Sequence, residues 1–146
     1  MKRLLAVLAL TALASHAAFG FQQAAAATQG DAKTTDAYIL LALRRAAVAA
    51  QQERLAEMYT GSYPSAESTR FELAVLSREM EAMLGLDKSR LPRLSNGYGT
   101  MILRKVQLEV GLRDLLLSFT SDHPDVKAQR AELNALEREI ENILRR

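Results

Sequence analysis

An all-α fold is predicted for this chain by three observations. A duplication runs at a constant offset of 60 residues, both copies carry apolar seams with helical spacing, and a proline interrupts each copy at the same place. Together they predict two duplicated αα-hairpins that form a four-helix bundle or a short antiparallel coiled coil.

The duplication aligns Leu55 to Leu84 with Leu115 to Leu144 without a gap, and eleven of the 30 positions are identical. Among them are Thr60 and Thr120, Pro64 and Pro124, Arg70 and Arg130, Glu72 and Glu132, Arg78 and Arg138, and Glu79 and Glu139. The match continues upstream through Leu43 and Leu103, Arg44 and Arg104, and Arg45 and Lys105. Two helices of similar composition would share some of these by chance. They would not also place a proline and its preceding Thr in register.

In the first helix Leu41, Val48, Leu55 and Tyr59 form one stripe, matched in the third by Met101, Leu108, Leu115 and Phe119. After the proline, Leu73, Leu76, Met80 and Met83 form a 3-4-3 seam, repeated by Leu133, Leu136, Ile140 and Ile143. Such seams are what helices packed as in coiled coils require. The residue before a proline disfavours helical backbone, and a proline fits the first turn because its missing N–H has no intrahelical partner there. Thr60 to Pro64 and Thr120 to Pro124 are therefore predicted turns, with Ser62 and Asp122 as N-caps. Residues 36–84 make hairpin 1 and 101–146 make hairpin 2. Between them 85–100 is predicted as a linker loop, punctuated by Gly85, Pro92, Asn96-Gly97 and Gly99.

The N-terminal residues read as an address. Lys2 and Arg3 precede the apolar run Leu4 to Leu13, and small residues follow, which is the order of a secretory signal peptide with cleavage between 14 and 27. Residues 1–27 are assigned to it and 28–35 to a flexible leader; the alternative is an uncleaved membrane anchor over Leu4 to Phe21. Of 19 cations, Lys2 and Arg3 leave with the signal, so 17 remain against 17 acidic residues. Neutrality removes the electrostatic case for nucleic acid. With no Cys, a disulfide scaffold and a thiolate zinc site are excluded. The expected location is periplasmic or secreted, and no segment after the signal is apolar and long enough to span a membrane.

Candidate sites fall into two groups. The repeated charges Arg70, Glu72, Arg78, Glu79 and their copies Arg130, Glu132, Arg138, Glu139 read either as a solvated face with modest ion pairs or as a strip that selects a partner helix or a second copy of the chain. The turn set is Tyr59, Thr60, Pro64, Phe119, Thr120, His123 and Pro124. His123 lies between Asp122 and Asp125, but one imidazole with two carboxylates is a poor zinc set, and the first copy has Tyr63, Ser62 and Ser65 there. No metal, cofactor or catalytic residue is assigned. The chain shows no HExxH, nucleophile elbow or Gly-rich phosphate loop.

The second turn, Phe119-Thr120 followed by His123-Pro124, Val126, Leu133 and Leu136, resembles a stretch in the periplasmic coiled-coil region of polysaccharide chain-length determinant and exopolysaccharide transport proteins. The first copy keeps Tyr59, Thr60 and Pro64, with Tyr63 and Ala66 where that pattern has His and Val. The likeness covers about 30 of the 146 residues and describes a helix turn. It implies a helical partner of envelope polysaccharide export components, without the membrane spans or kinase domain of that family. The expected function is thus a non-catalytic helical protein-interaction module outside the cytoplasm, with a small periplasmic chaperone or a metal-responsive stress protein as the alternative.

Overall fold

The computed structural model describes residues 31–58 and 63–145. Four long helices carry the fold: α1 (Asp36–Met58), α2 (Pro64–Leu84), α3 (Asn96–Ser118) and α4 (Pro124–Arg145), with a 3-10 segment at Lys88–Arg93. No strand occurs among the described residues. The chain is an all-α helical bundle, as the seams predict. The expected signal peptide, residues 28–30 of the expected leader, and Tyr59, Thr60 and Ser62 of the first turn lie outside the described residues.

The duplication is reproduced in the elements themselves. α1 and α3 begin and end 60 residues apart, and so do the first residues of α2 and α4. Even the N-caps match: the Thr35 hydroxyl accepts from the Tyr38 N–H at 3.4 Å, and the Ser95 hydroxyl from the Tyr98 N–H at 3.3 Å. Within each hairpin the two helices pack along the predicted seams. Leu41, Val48, Leu76, Met80 and Met83 are buried in the first, and Leu108, Leu133 and Ile140 in the second.

The hairpins stack instead of closing a ring. α1 packs on α2 and on α3, α3 packs on α1, α2 and α4, and α4 rests on α3 and the 3-10 segment. This is the contact pattern of tandem helix pairs, in which each unit covers one face of the next. The core lies where α3 enters the groove of hairpin 1. There Ile102 and Val106 join Ala37, Leu41, Val75, Leu76 and Tyr98 in one buried cluster.

Two boundaries differ from the sequence expectation. Residues 31–35, expected as leader, take part in the fold: Ala32 is buried, and the Thr35 hydroxyl donates to the Ala32 carbonyl at 2.7 Å while capping α1. Asn96 to Thr100, expected as the end of the linker, are the first residues of α3. Gly99 is there for close approach and not for a turn. A Cβ on it would lie 2.8 Å from the Ala37 Cα, so only glycine lets α3 come this near to α1. Beside it the Ala37 N–H donates to the Leu94 carbonyl at 3.2 Å, joining the start of α1 to the residue before the Ser95 cap.

A further correction concerns the second turn. Asp122 does not cap α4; its carboxylate lies 3.1 Å from Lys127 Nζ. His123 takes that role: its carbonyl accepts from the Lys127 N–H at 3.0 Å and its Nδ1 from the Asp125 N–H at 3.3 Å. The N-cap of α2 is likewise Tyr63, with no side-chain cap bond. Pro64 and Pro124 each occupy the first helical position, one residue later than a cap at Ser62 or Asp122 would place the helix start.

Gly99→Ala is expected to destabilise the fold by about 1–3 kcal/mol through overpacking at the α1–α3 crossing. Gly97→Ala, whose new methyl would meet nothing closer than the Ser95 Oγ at 3.7 Å, should be neutral or stabilising. Urea unfolding of the two variants checks this, and equal midpoints would refute the close-approach argument.

Candidate functional site

Each hairpin is tied across its two helices by the same ion pair. Arg44 reaches Glu72 at 2.6 Å, and Arg104 reaches Glu132 at 2.6 Å, so one unit's pairing recurs at the offset of the duplication. The repeated Glu72 and Glu132 are thus clasps within a hairpin. Glu72 is largely covered, whereas Glu132 is half exposed. Arg70 pairs with Glu67 one turn earlier on the exposed face.

Arg78 and Glu79 have another use. Glu79 is buried at 8% exposure and accepts from Lys105 Nζ at 3.0 Å and from Arg78 Nη2 at 2.8 Å. Arg78 also donates to Glu109 at 2.7 Å, and Lys105 stands 3.8 Å from both Glu109 and Glu137. The cluster therefore links α2 of hairpin 1 to α3 and α4 of hairpin 2. Hydrogen bonds to Glu109 first, and then to Glu79, raise the Arg78 pKa above its already high ordinary value. Tyr98, buried beside the cluster, has its phenol pushed up by burial first and by the negative charge of Glu79 second. Two further contacts seal the same interface: Ser68 donates to Asp114 at 2.9 Å, and the Arg113 guanidinium lies 5.1 Å from the centre of the Phe71 ring. Among the described residues no buried side-chain nitrogen or oxygen lacks a partner.

The copies of these residues in hairpin 2 behave differently. Arg130, Arg138 and Glu139 are exposed and form no ion pair among the described residues. The strip read from the sequence is thus divided: Arg78 and Glu79 of its first copy hold the hairpins together, Glu72 and Glu132 act within their own hairpins, and Arg130, Arg138 and Glu139 face outward. Lys105 and Glu109, the partners across the interface, were not singled out by sequence. Only the weak upstream match of Arg45 with Lys105 pointed to that position.

The described turn residues, Tyr63 and Pro64 of the first turn and Phe119, Thr120, His123 and Pro124 of the second, gather at one end of the stack, because α1 and α3 run parallel from the Ala37–Gly99 crossing. Exposed apolar side chains concentrate there: Met58 at the end of α1, Tyr63 before α2, and Leu116, Leu117 and Phe119 at the end of α3. Leu117 is 72% exposed and Met58 66%. Phe119 stacks on His123 with ring centroids 4.1 Å apart, which turns the imidazole into part of an aromatic ledge. Next to this end a groove of about 680 Å³ opens between α1, α2 and α3, lined by Arg44, Ser65, Ser68, Glu72, Asp114 and Leu117 among others. His123 has Asp125 Oδ2 at 3.7 Å, but no group of three or more His, Cys, Asp or Glu suited to a metal ion exists among the described residues. No described helix is long and apolar enough to cross a membrane.

An apolar ledge beside a polar groove is suited to holding another polypeptide. Compared with protein-family models, with curated proteins and with solved structures, the chain matches none.

Removing the carboxylate of Glu79 leaves Lys105 half-buried with weaker partners, so Glu79→Ala should cost about 1–3 kcal/mol. Glu132→Ala, in an exposed pair, should cost less than about 1 kcal/mol. Chemical denaturation distinguishes the two, and equal losses would contradict the unequal roles. The raised folded pKa of Tyr98 means the unfolded chain ionises it first. Its contribution to stability is fully present below about pH 10 and lost as the pH rises through the higher folded value. Tyr98→Phe should flatten that alkaline decline. Unfolding midpoints between roughly pH 8 and 11 measure it, and unchanged steepness would count against the assignment.

Proposed function

We propose that this chain is a non-catalytic helical protein-interaction module that works outside the cytoplasm and engages its partner at the turn end. The carrying observation is the concentration of exposed Met58, Tyr63, Leu116, Leu117 and Phe119 at one end of the stack, with Ile39 and Leu43 of α1 the exposed large apolar residues away from it among the described residues. Contiguous apolar exposure rimmed by polar groups marks surfaces that bind other proteins. The adjoining groove supplies Glu72, Asp114 and Arg44 for orientation.

The location rests on Lys2, Arg3 and the apolar run behind them, which have the order of a secretory signal. The resemblance of Phe119 to Leu136 to the periplasmic helices of exopolysaccharide transport proteins supports a helical partner within envelope polysaccharide export. The same apolar end favours a second reading, a small periplasmic chaperone that holds unfolded clients.

One experiment separates the two. A photo-crosslinking residue at position 117, in cells, should yield one discrete adduct identifiable by mass spectrometry, while the same residue at exposed Arg90 on the opposite end yields none. A broad ladder of adducts would favour the chaperone, and no adduct from position 117 would sink both readings. Leu117→Ser combined with Phe119→Ser should abolish the adduct formed from a probe at Met58. Unfolding stability should change by no more than about 0.5 kcal/mol, since surface positions carry little of it.

A further inference from the structure

His123 joins two parts of the turn end through one ring. Its Nδ1 accepts from the Asp125 N–H at 3.3 Å and so caps the first turn of α4. The same ring lies on Phe119 with centroids 4.1 Å apart and extends the apolar ledge. The side chain is 34% exposed, so solvent protons reach it.

Only the neutral ring can do both. An acceptor at Nδ1 requires the tautomer with its proton on Nε2, because both nitrogens of the charged ring are donors. Imidazole changes charge between roughly pH 5 and 8, so this cap is an interaction that acid removes. A proton on Nδ1 meets the Asp125 N–H, and the acceptor at hand for it is the Asp125 carboxylate, with Oδ2 3.7 Å away.

The other charged groups leave this exchange to the ring and Asp125. Lys127 lies 3.1 Å from Asp122, and Arg130 is exposed. α3 is the helix packed against this part of α4, and its nearest charges are turned away: Arg113 lies over Phe71 and Asp114 accepts from Ser68, both on α2. The 3-10 segment meets α4 at its other end, where Arg93 reaches the Leu144 carbonyl. In the first unit Tyr63 stands at the equivalent position and makes no side-chain cap bond, so the arrangement belongs to the second turn alone.

We propose that His123 makes the turn-end surface pH-sensitive. Neutral, it caps α4 and completes the apolar ledge. Protonated, it releases the Asp125 N–H, turns to the Asp125 carboxylate and puts a charge where an apolar partner must seat, and a charge resists being covered. Docking at the ledge is therefore strong near pH 8 and weakens toward about pH 5. This rests on the reading of the turn end as a docking surface and adds its regulation.

Heteronuclear NMR of the purified chain and the fluorescence of Nile red, a neutral apolar dye, test the proposal over roughly pH 5 to 8. The His123 ring resonance, identified by its loss in His123→Asn, should titrate together with the Asp125 amide, and dye fluorescence should fall about three-fold with the same midpoint. His123→Asn keeps a capping side chain without a titrating ring, and His123→Phe keeps an aromatic ledge without the cap, so dye fluorescence in both should stay level. An Asp125 amide that stays still while the ring titrates, unchanged dye fluorescence, or a decline that both variants retain would overturn it. The adduct from position 117 at neutral pH decides the docking reading separately. With the adduct present and the dye response absent, the pH dependence fails and the interaction module stands; with the adduct absent while ring, amide and dye titrate together, the docking reading fails and the coupling of ring to ledge stands.

Discussion

Where α1 and α3 cross, the backbones approach until a single methyl group on Gly99 would strike the Ala37 Cα. That contact lets α3 lie deep enough against hairpin 1 for Ile102 and Val106 to reach the seam of Leu41, Leu76 and Val75. It also brings Lys105 within 3.0 Å of Glu79, a carboxylate that would be costly to bury without a cation beside it. Tight approach, apolar burial and charge compensation are thus three results of one helix position.

The same sequence unit is used in two ways. Glu72 and Glu132 keep their roles, each holding the arginine 28 residues earlier on the neighbouring helix. Glu79 and Glu139 do not, because only the first has another hairpin over it. Duplication fixes what a unit does within itself, and position in the stack decides what it does between units.

Much of this was legible in the sequence. The offset of 60 located both hairpins, the 3-4-3 seams named half of the buried residues of α2 and α4, and the two prolines marked the helix starts. What local patterns missed depends on other parts of the chain. Gly97 and Gly99 looked like loop punctuation because glycine favours turns, yet the reason for Gly99 is Ala37, 62 residues earlier. The cap at His123 was hidden by the stronger capping preference of Asp122, which is drawn instead to Lys127. Lys105 and Glu109 could not be chosen from other surface charges without knowing that α2 lies across α3. The turn-end ledge needed the parallel arrangement of α1 and α3, which the repeat alone does not dictate.

That parallel arrangement also settles which end of the molecule is free. Arg93 donates to the Leu144 carbonyl at 2.5 Å, so the end of α4 returns to the start of α3, beside the entry to α1. Asp31 and Arg145, the outermost described residues, lie at that end. Helices of 23 residues then place the Phe119 ledge roughly 35 Å away, at 1.5 Å per residue. Lengthening α1 and α3 by whole turns would move the ledge outward from that end without rotating it far.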